Sequence, residues 1–203
     1  IPIKRAPKES NPNFPLFSLV SVPHLFSFSE MAFAPEKLMK ASTEVFWYID
    51  DCKVPDDIRP FYAVDNIKSA LNKNGYCGRL TITVYGDYES QKNTFKVLRY
   101  AGVDIVDRPA GNKDERVAEI IVDVFSWAMS RLGESNLMII SEDFSGVSAF
   151  VRAIQKLHYS RRYNILLAQP QFASGPILNV IGWTSLAAGG DPEPKIRYKF
   201  PLT

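Results

Sequence analysis

Cysteine is scarce in this chain: Cys52 and Cys77 are its only two, and they lie in different segments. Nothing in that resembles the disulfide framework that staples small secreted domains, so a reducing, intracellular compartment is expected. Histidine is equally rare. His24 falls in the N-terminal stretch and His158 near a helix end, which makes neither a metal pair nor a catalytic triad. No G-x-G-x-x-G or G-x-x-x-x-G-K-[ST] occurs, which argues against a glycine loop cradling phosphates. No apolar run approaches the ~18 residues of a membrane span, so no membrane insertion is expected. Charge of one sign is lacking too: a net charge of +2 does not imply a nucleic-acid partner, and any basic footprint must be local.

What is present is an ordinary globular balance, 46% hydrophobic and 23% charged over 203 residues, enough for one domain with tails. Residues 1–43 are proline-rich, mildly basic and without helical or strand period, yet include the apolar "FPLFSLVSVPHLFSFS". We read them as a poorly ordered leader, either a processed targeting segment or an extension upstream of Met31. The chain starts with Ile1, so its true N-terminus is missing or processed. The domain is expected over 44–188, followed by a Gly/Pro-opened tail over 189–203, "GGDPEPKIRYKFPLT".

Inside those bounds short apolar runs alternate with helical periods. "EVFWYI" (44–49), "LTITVYG" (80–86), "GVDIV" (102–106), "NLMII" (136–140) and "YNILLAQ" (163–169) read as strands buried on both faces. Between them Phe61, Val64, Ile67 and Leu71 recur at three- and four-residue spacing after Pro60, as do Phe95, Leu98 and Ala101. Val117, Ile120, Ile121, Val124, Ala128 and Leu132 form a third such stripe, and Val147, Phe150, Val151, Ile154 and Leu157 a fourth. The alternation predicts an α/β three-layer sandwich around a mostly parallel five-stranded sheet. In such sheets functional groups gather at the carboxyl ends of the strands.

Those ends are acidic. Asp50 and Asp51 follow the first strand, Asp87 the second, "DRPAGNKDE" the third, and Glu142 and Asp143 the fourth; Asp123 lies on the helix after the third. Converging carboxylates repel unless a cation neutralises them, and an oxygen-rich, sulfur-poor set suits Mg²⁺ or Mn²⁺. Against this, Asp residues after strands often cap the next helix, and Asp57, Asp87 and Asp114 read as caps or solvated loop residues. For Asp50 and Asp51 both readings stand. Asp123 lies off its helix's apolar stripe, where a solvated role competes. Cys52 and Cys77 read as small buried packers and not nucleophiles. In "HYSRRYN" Arg161 and Arg162 alternate with tyrosines, either a nucleic-acid contact or a solvated connection.

The blocks "FWYIDDCKVP", "NGYCGRLTITVYGD", "RPAGNKD", "IIVDVFSWA", "RRYNILLAQP" and "WTSLAAGG" together resemble the NYN domain of the limkain / meiosis regulator and mRNA stability factor family, especially its plant branch, over about Ser42 to Gly190. The resemblance implies a PIN-like nuclease fold and a Mg²⁺- or Mn²⁺-dependent ribonuclease acting in RNA turnover or regulation. It further implies single-stranded RNA as partner, protein partners in an RNA-regulatory complex, and a cytoplasmic or nuclear location; a peroxisomal one would rest on kinship alone, since the C-terminal "PLT" is no peroxisomal address. On this reading Asp123 and Asp143 hold the metal with Asp50 or Asp51 as substitute ligand, and Lys113, Arg161 and Arg162 contact RNA.

The departures from the family pattern are specific. Tyr48 stands where the family's first-strand Asp is expected, and Asp51 replaces its Asn. Asp50, two positions past Tyr48, would share its face in a strand, displaced by roughly 6–7 Å. Val117 replaces an acidic residue on the helix that carries Asp123, and Ala149 a second acid after Asp143. "IISEDFSG" also admits an alignment that matches "EDF" to a later motif. Two functions therefore compete, a metal-dependent endoribonuclease with a degenerate acidic site and a catalytically inactive RNA- or protein-binding module with the nuclease fold, with a structural scaffold lacking RNA affinity as a weaker third.

Overall fold

The computed structural model describes residues 36–108, 112–142, 144, 147–160, 162–170 and 180–190. All belong to the compact unit Met31–Thr203. A short helix α1 (Glu36–Met39) leads into β1 (Ser42–Tyr48), then α2 (Pro60–Lys73), β2 (Leu80–Gly86), α3 (Tyr88–Tyr100) and β3 (Asp104–Asp107). There follow α4 (Lys113–Ser130), β4 (Ser135–Ile140), α5 (Ser148–Tyr159), β5 (Tyr163–Gln169), β6 (Val180–Gly182) and α6 (Trp183–Ala187).

Local chemistry explains the boundaries. Pro60 opens α2, where its missing N–H is not needed, and Gly75 follows the helix end at φ 85°. Asp87 caps α3 by accepting the Glu89 N–H at 3.1 Å, as expected of it. Asn112 and Glu115 form a reciprocal capping box at the start of α4, so Asn112 and not Asp114 is that helix's cap.

The six strands are parallel, in the order β3-β2-β1-β4-β5-β6. The expected α/β architecture is present with one strand more than the five expected. The extra strand, β6, is three residues long, too short to leave a hydrophobic period. Strand β1 begins at Ser42, two residues before the expected domain start, and α1 lies in the stretch read as leader.

The central strands β1, β4 and β5 bury both faces. Val45 and Trp47 of β1, with Ile49 just past its end, join Val64, Ile67, Phe95, Leu98 and Trp183 from α2, α3 and α6. Phe46 and Tyr48 point the other way, to Val117, Ile120, Val124, Phe150 and Ile154 of α4 and α5. Three layers result. Two residues of the expected stripes stay outside this core: Phe61, in the first turn of α2, is 44% exposed, and Leu132, past the end of α4, is 99% exposed.

Because β2 and β3 lie on one side of β1 while β4 to β6 lie on the other, the chain reverses its direction of travel between β1 and β4. Open parallel sheets present a crevice at such a point, outside the carboxyl ends of the strands.

Candidate functional site

At the end of β1 the backbone turns sharply. The N–H groups of Asp51 and Cys52 both donate to the Tyr48 carbonyl, at 3.1 and 3.0 Å. Two indoles hold the turn in place: Trp47 Nε1 donates to the Cys52 carbonyl at 2.8 Å, and Trp183 Nε1 to the Lys53 carbonyl at 2.7 Å. The turn ends the strand alternation, so the two adjacent acids go to different partners. Asp50 Oδ2 accepts the Asp87 N–H at 3.0 Å. It also lies against Gly86, where an added Cβ would stand 3.2 Å from that oxygen and 2.6 Å from Ile49 Cγ2. Glycine at the end of β2 is what lets β1's turn come so close. Asp51 is driven inward, its side chain 4% exposed, with Oδ1 3.4 Å from Arg116 Nε and Oδ2 accepting the Glu142 N–H at 3.5 Å.

Arg116 comes from α4 and also reaches Glu142 Oε1 at 3.0 Å. It thereby ties the end of β1 to the end of β4 across the switch point. On the other side a second arginine ties the end of β3 to α4. Arg108, just past β3, donates through Nη2 to both carboxylate oxygens of Asp123, at 3.0 and 2.9 Å, and through Nη1 to Glu119 at 3.0 Å. Its guanidinium lies 5.4 Å from the Tyr85 ring centroid, and Tyr85 stacks on Tyr48 at 4.8 Å and 13°. The Tyr48 hydroxyl completes the set by donating to Asp123 Oδ2 at 3.4 Å. Tyr48, Asp50, Asp51, Tyr85, Gly86, Arg108, Arg116 and Glu119 line a small open cleft.

The electrostatics follow from burial and pairing. Burial pushes the carboxyls of Asp51 and Asp123 above their ordinary range, opposed in each case by the arginine beside it. Burial, with the Asp123 charge adding to it, pushes the Tyr48 phenol far up, so Tyr48 stays protonated and serves Asp123 as a donor. Burial raises the Cys52 thiol too, which suits a packed side chain and not a nucleophile, whereas Cys77, expected to be buried, is exposed past the end of α2.

Asp50, Asp51 and Asp123 thus sit at the same edge of the sheet, Asp50 and Asp51 lining the cleft and Asp123 joined to it through Arg108 and Tyr48. Asp143 and Arg161 lie outside the described residues, and Lys113 is described only as the first residue of α4. Arg162 precedes β5 and so stands at the amino edge, the far end of the sheet, where its Nη2 donates to the Arg131 carbonyl at 3.2 Å. The structure does not bring it together with the acids. Sequence reasoning passed over Arg108, Arg116 and Glu119. The available signal was the spacing of Arg116, Glu119 and Asp123, which places all three along one face of α4.

A hard divalent ion needs carboxylate oxygens and waters converging on one point. Among the described residues no group of three His, Cys, Asp or Glu side chains is arranged to hold a metal. Asp123 already has both oxygens on Arg108, and Asp51 is held by Arg116. The described side chains therefore fit guanidinium counter-ions and not Mg²⁺ or Mn²⁺.

A comparison with protein families agrees with the fold. The model of the NYN domain matches residues 42–181, from the first residue of β1 to the middle of β6. No curated protein is significantly similar to the chain in sequence. NYN domains have a PIN-like nuclease fold and RNA-related functions, and metal-dependent members typically use divalent ions. By a match over most of its length, the chain belongs to the NYN domain family.

Proposed function

We propose that this NYN domain binds RNA, single-stranded by preference, in a regulatory role and no longer cuts it. One observation carries the reading: Tyr48 and Arg108 together satisfy Asp123, the acid on which a metal would depend. A hydrolytic site of this kind works by using a metal to activate water and to neutralise the scissile phosphate. Here a guanidinium lies where that positive charge is needed, and it offers no coordination site for a water. Removing it would leave Asp123 half-buried and uncompensated, so the pair is built into the packing of α4 against the sheet.

The ordered blocks shared with the limkain / meiosis regulator and mRNA stability factor family support a place in that branch, in the cytoplasm or nucleus, with protein partners in an RNA-regulatory complex. The test is incubation of labelled single-stranded RNA with the full chain in Mg²⁺ or Mn²⁺, beside an Asp123→Ala control. We expect retained binding that weakens as salt rises, and no cleavage above the control. Cleavage by the natural chain that Asp123→Ala abolishes would establish the metal-dependent endoribonuclease instead, with Asp143 as the missing ligand. Absence of any RNA affinity would refute the binding role.

A further inference from the structure

The whole chain carries 24 lysines and arginines against 22 carboxylates. Helices α2 and α3 alone carry five cations against Asp65 and Glu89, an excess larger than that of the entire chain. The charge is therefore concentrated on one outer layer of the sandwich, where α2 and α3 pack side by side over the sheet.

Within α3, Lys92, Lys96 and Arg99 are spaced four and three residues apart, so they share one face, about a quarter-turn round from the buried Phe95 and Leu98. All three are exposed, and among the described residues none forms an ion pair. That separates them from the arginines of the cleft, whose charge is already taken by Asp51, Glu119, Asp123 and Glu142. Lys68 of α2 adds to the end of this stripe: its Nζ donates to the Ala101 carbonyl at 3.5 Å, with Asp65 no nearer than 3.9 Å. Arg99 reaches back along the helix to lie 5.5 Å from the Tyr88 ring centroid. Next to it Tyr100 is 91% exposed, an aromatic ring almost wholly in water.

Cations at helical spacing beside a free aromatic face are the elements of a sequence-tolerant single-strand site, in which phosphates meet the charges and an unpaired base stacks on the ring. Lys92 to Arg99 spans about 10 Å of helix axis, roughly three phosphates at the ~3.4 Å per-strand spacing of stacked nucleic acid. At the other end, Asp87 and Glu89 in the first turn repel phosphate, so contact begins at Lys92. We propose that the outer face of α3, with Lys68 of α2, is the surface that holds the phosphate backbone of single-stranded RNA, and that Tyr100 is its stacking platform. This inference rests on the RNA-binding reading above and relocates the contact from the cleft and from Arg162 to a helix face that neither includes.

The experiment is anisotropy of a labelled single-stranded oligouridylate at several salt concentrations, with the natural chain, a Lys92→Glu/Lys96→Glu/Arg99→Glu variant and Tyr100→Ala. Three lost phosphate contacts should make the slope of log affinity against log salt shallower by about 2, and affinity should fall at least tenfold. Tyr100→Ala should weaken binding by about tenfold with the slope unchanged. The alanine triple variant at the same positions, matched to the natural chain in far-UV circular dichroism and melting temperature, should show the same change in slope and guards against misfolding of the charge reversal. If the natural chain binds and both triple variants keep its affinity and slope, the α3 surface is refuted while RNA binding stands. If the natural chain does not bind at all, the functional reading itself fails.

Discussion

Replacing Arg108 by methionine keeps an apolar side chain of similar length and removes the guanidinium, with its charge and its hydrogen bonds to Asp123. The side chains of Arg108 and Asp123 are 28% and 19% exposed, between a surface pair and a buried one. Exposed pairs contribute up to about 1 kcal/mol, whereas removing one partner of a buried pair costs about 3–5 kcal/mol, so a loss of about 2 kcal/mol is expected. Glu119, half-exposed on the same guanidinium, adds little because water screens it. For a chain of this size that corresponds to a melting temperature lower by roughly 4–8 °C near neutral pH. The pH dependence identifies the partner. Burial already holds the Asp123 carboxyl above its ordinary 3.8, with Arg108 opposing the rise. A carboxyl raised in the folded state favours folding below its unfolded value, and that contribution is lost as pH rises through the folded value. Without Arg108 the folded value climbs further, so the loss becomes larger and continues to higher pH. The deficit of Arg108→Met relative to the natural chain should therefore be full near neutrality and shrink as pH falls through the raised Asp123 value toward 3.8. Thermal melts of both proteins across this range decide it. An equal melting temperature at neutral pH, or a deficit that does not narrow in acid, would refute the claim that Arg108 is the counter-ion of Asp123.

Gly78→Ala should cost about 2–3 kcal/mol, since the new Cβ would stand 2.0 Å from the Ala41 carbonyl oxygen, a backbone atom that cannot swing away. Gly133→Ala, with nothing within 4 Å, is its near-neutral control in the same denaturant titration. Val117→Asp puts a carboxylate at a position 3% exposed among the aromatic and aliphatic side chains under α4, and should lower the melting temperature by roughly 6 °C or more. A melt close to the natural one would mean that α4 does not seat Val117 in the core. An aromatic disulfide reagent should label Cys77, which is exposed, and reach Cys52 only after denaturation, because Cys52 is 1% exposed and burial raises its thiol. Prompt labelling of both thiols in the native protein would count against the packing of the β1 turn.

Much of the fold was legible in the residues themselves. The runs at 80–86 and 163–169 are strands to the residue, because a strand packed between two layers of helices needs a short, nearly continuous apolar or β-branched stretch. Asp87 was readable as a cap because capping is a contact between near neighbours in sequence. Val117 was readable as core because its helical stripe demanded it. Strand β6 left no such mark, being three residues long and ordered by its pairing with β5. The state of the acids was not legible at all. Asp51, Asp123 and Glu142 looked like ligands awaiting a cation, and the cations that meet them are 65, 15 and 26 positions away. Local spacing cannot choose among the chain's 24 lysines and arginines. Only the strand order, which sets β1 between β2 and β4 and lays α4 beneath their ends, brings Arg108 and Arg116 to the rim. Hydrophobic period and capping act over a few residues and are written in the sequence, whereas charge compensation depends on distance in space and is decided when the sheet is assembled.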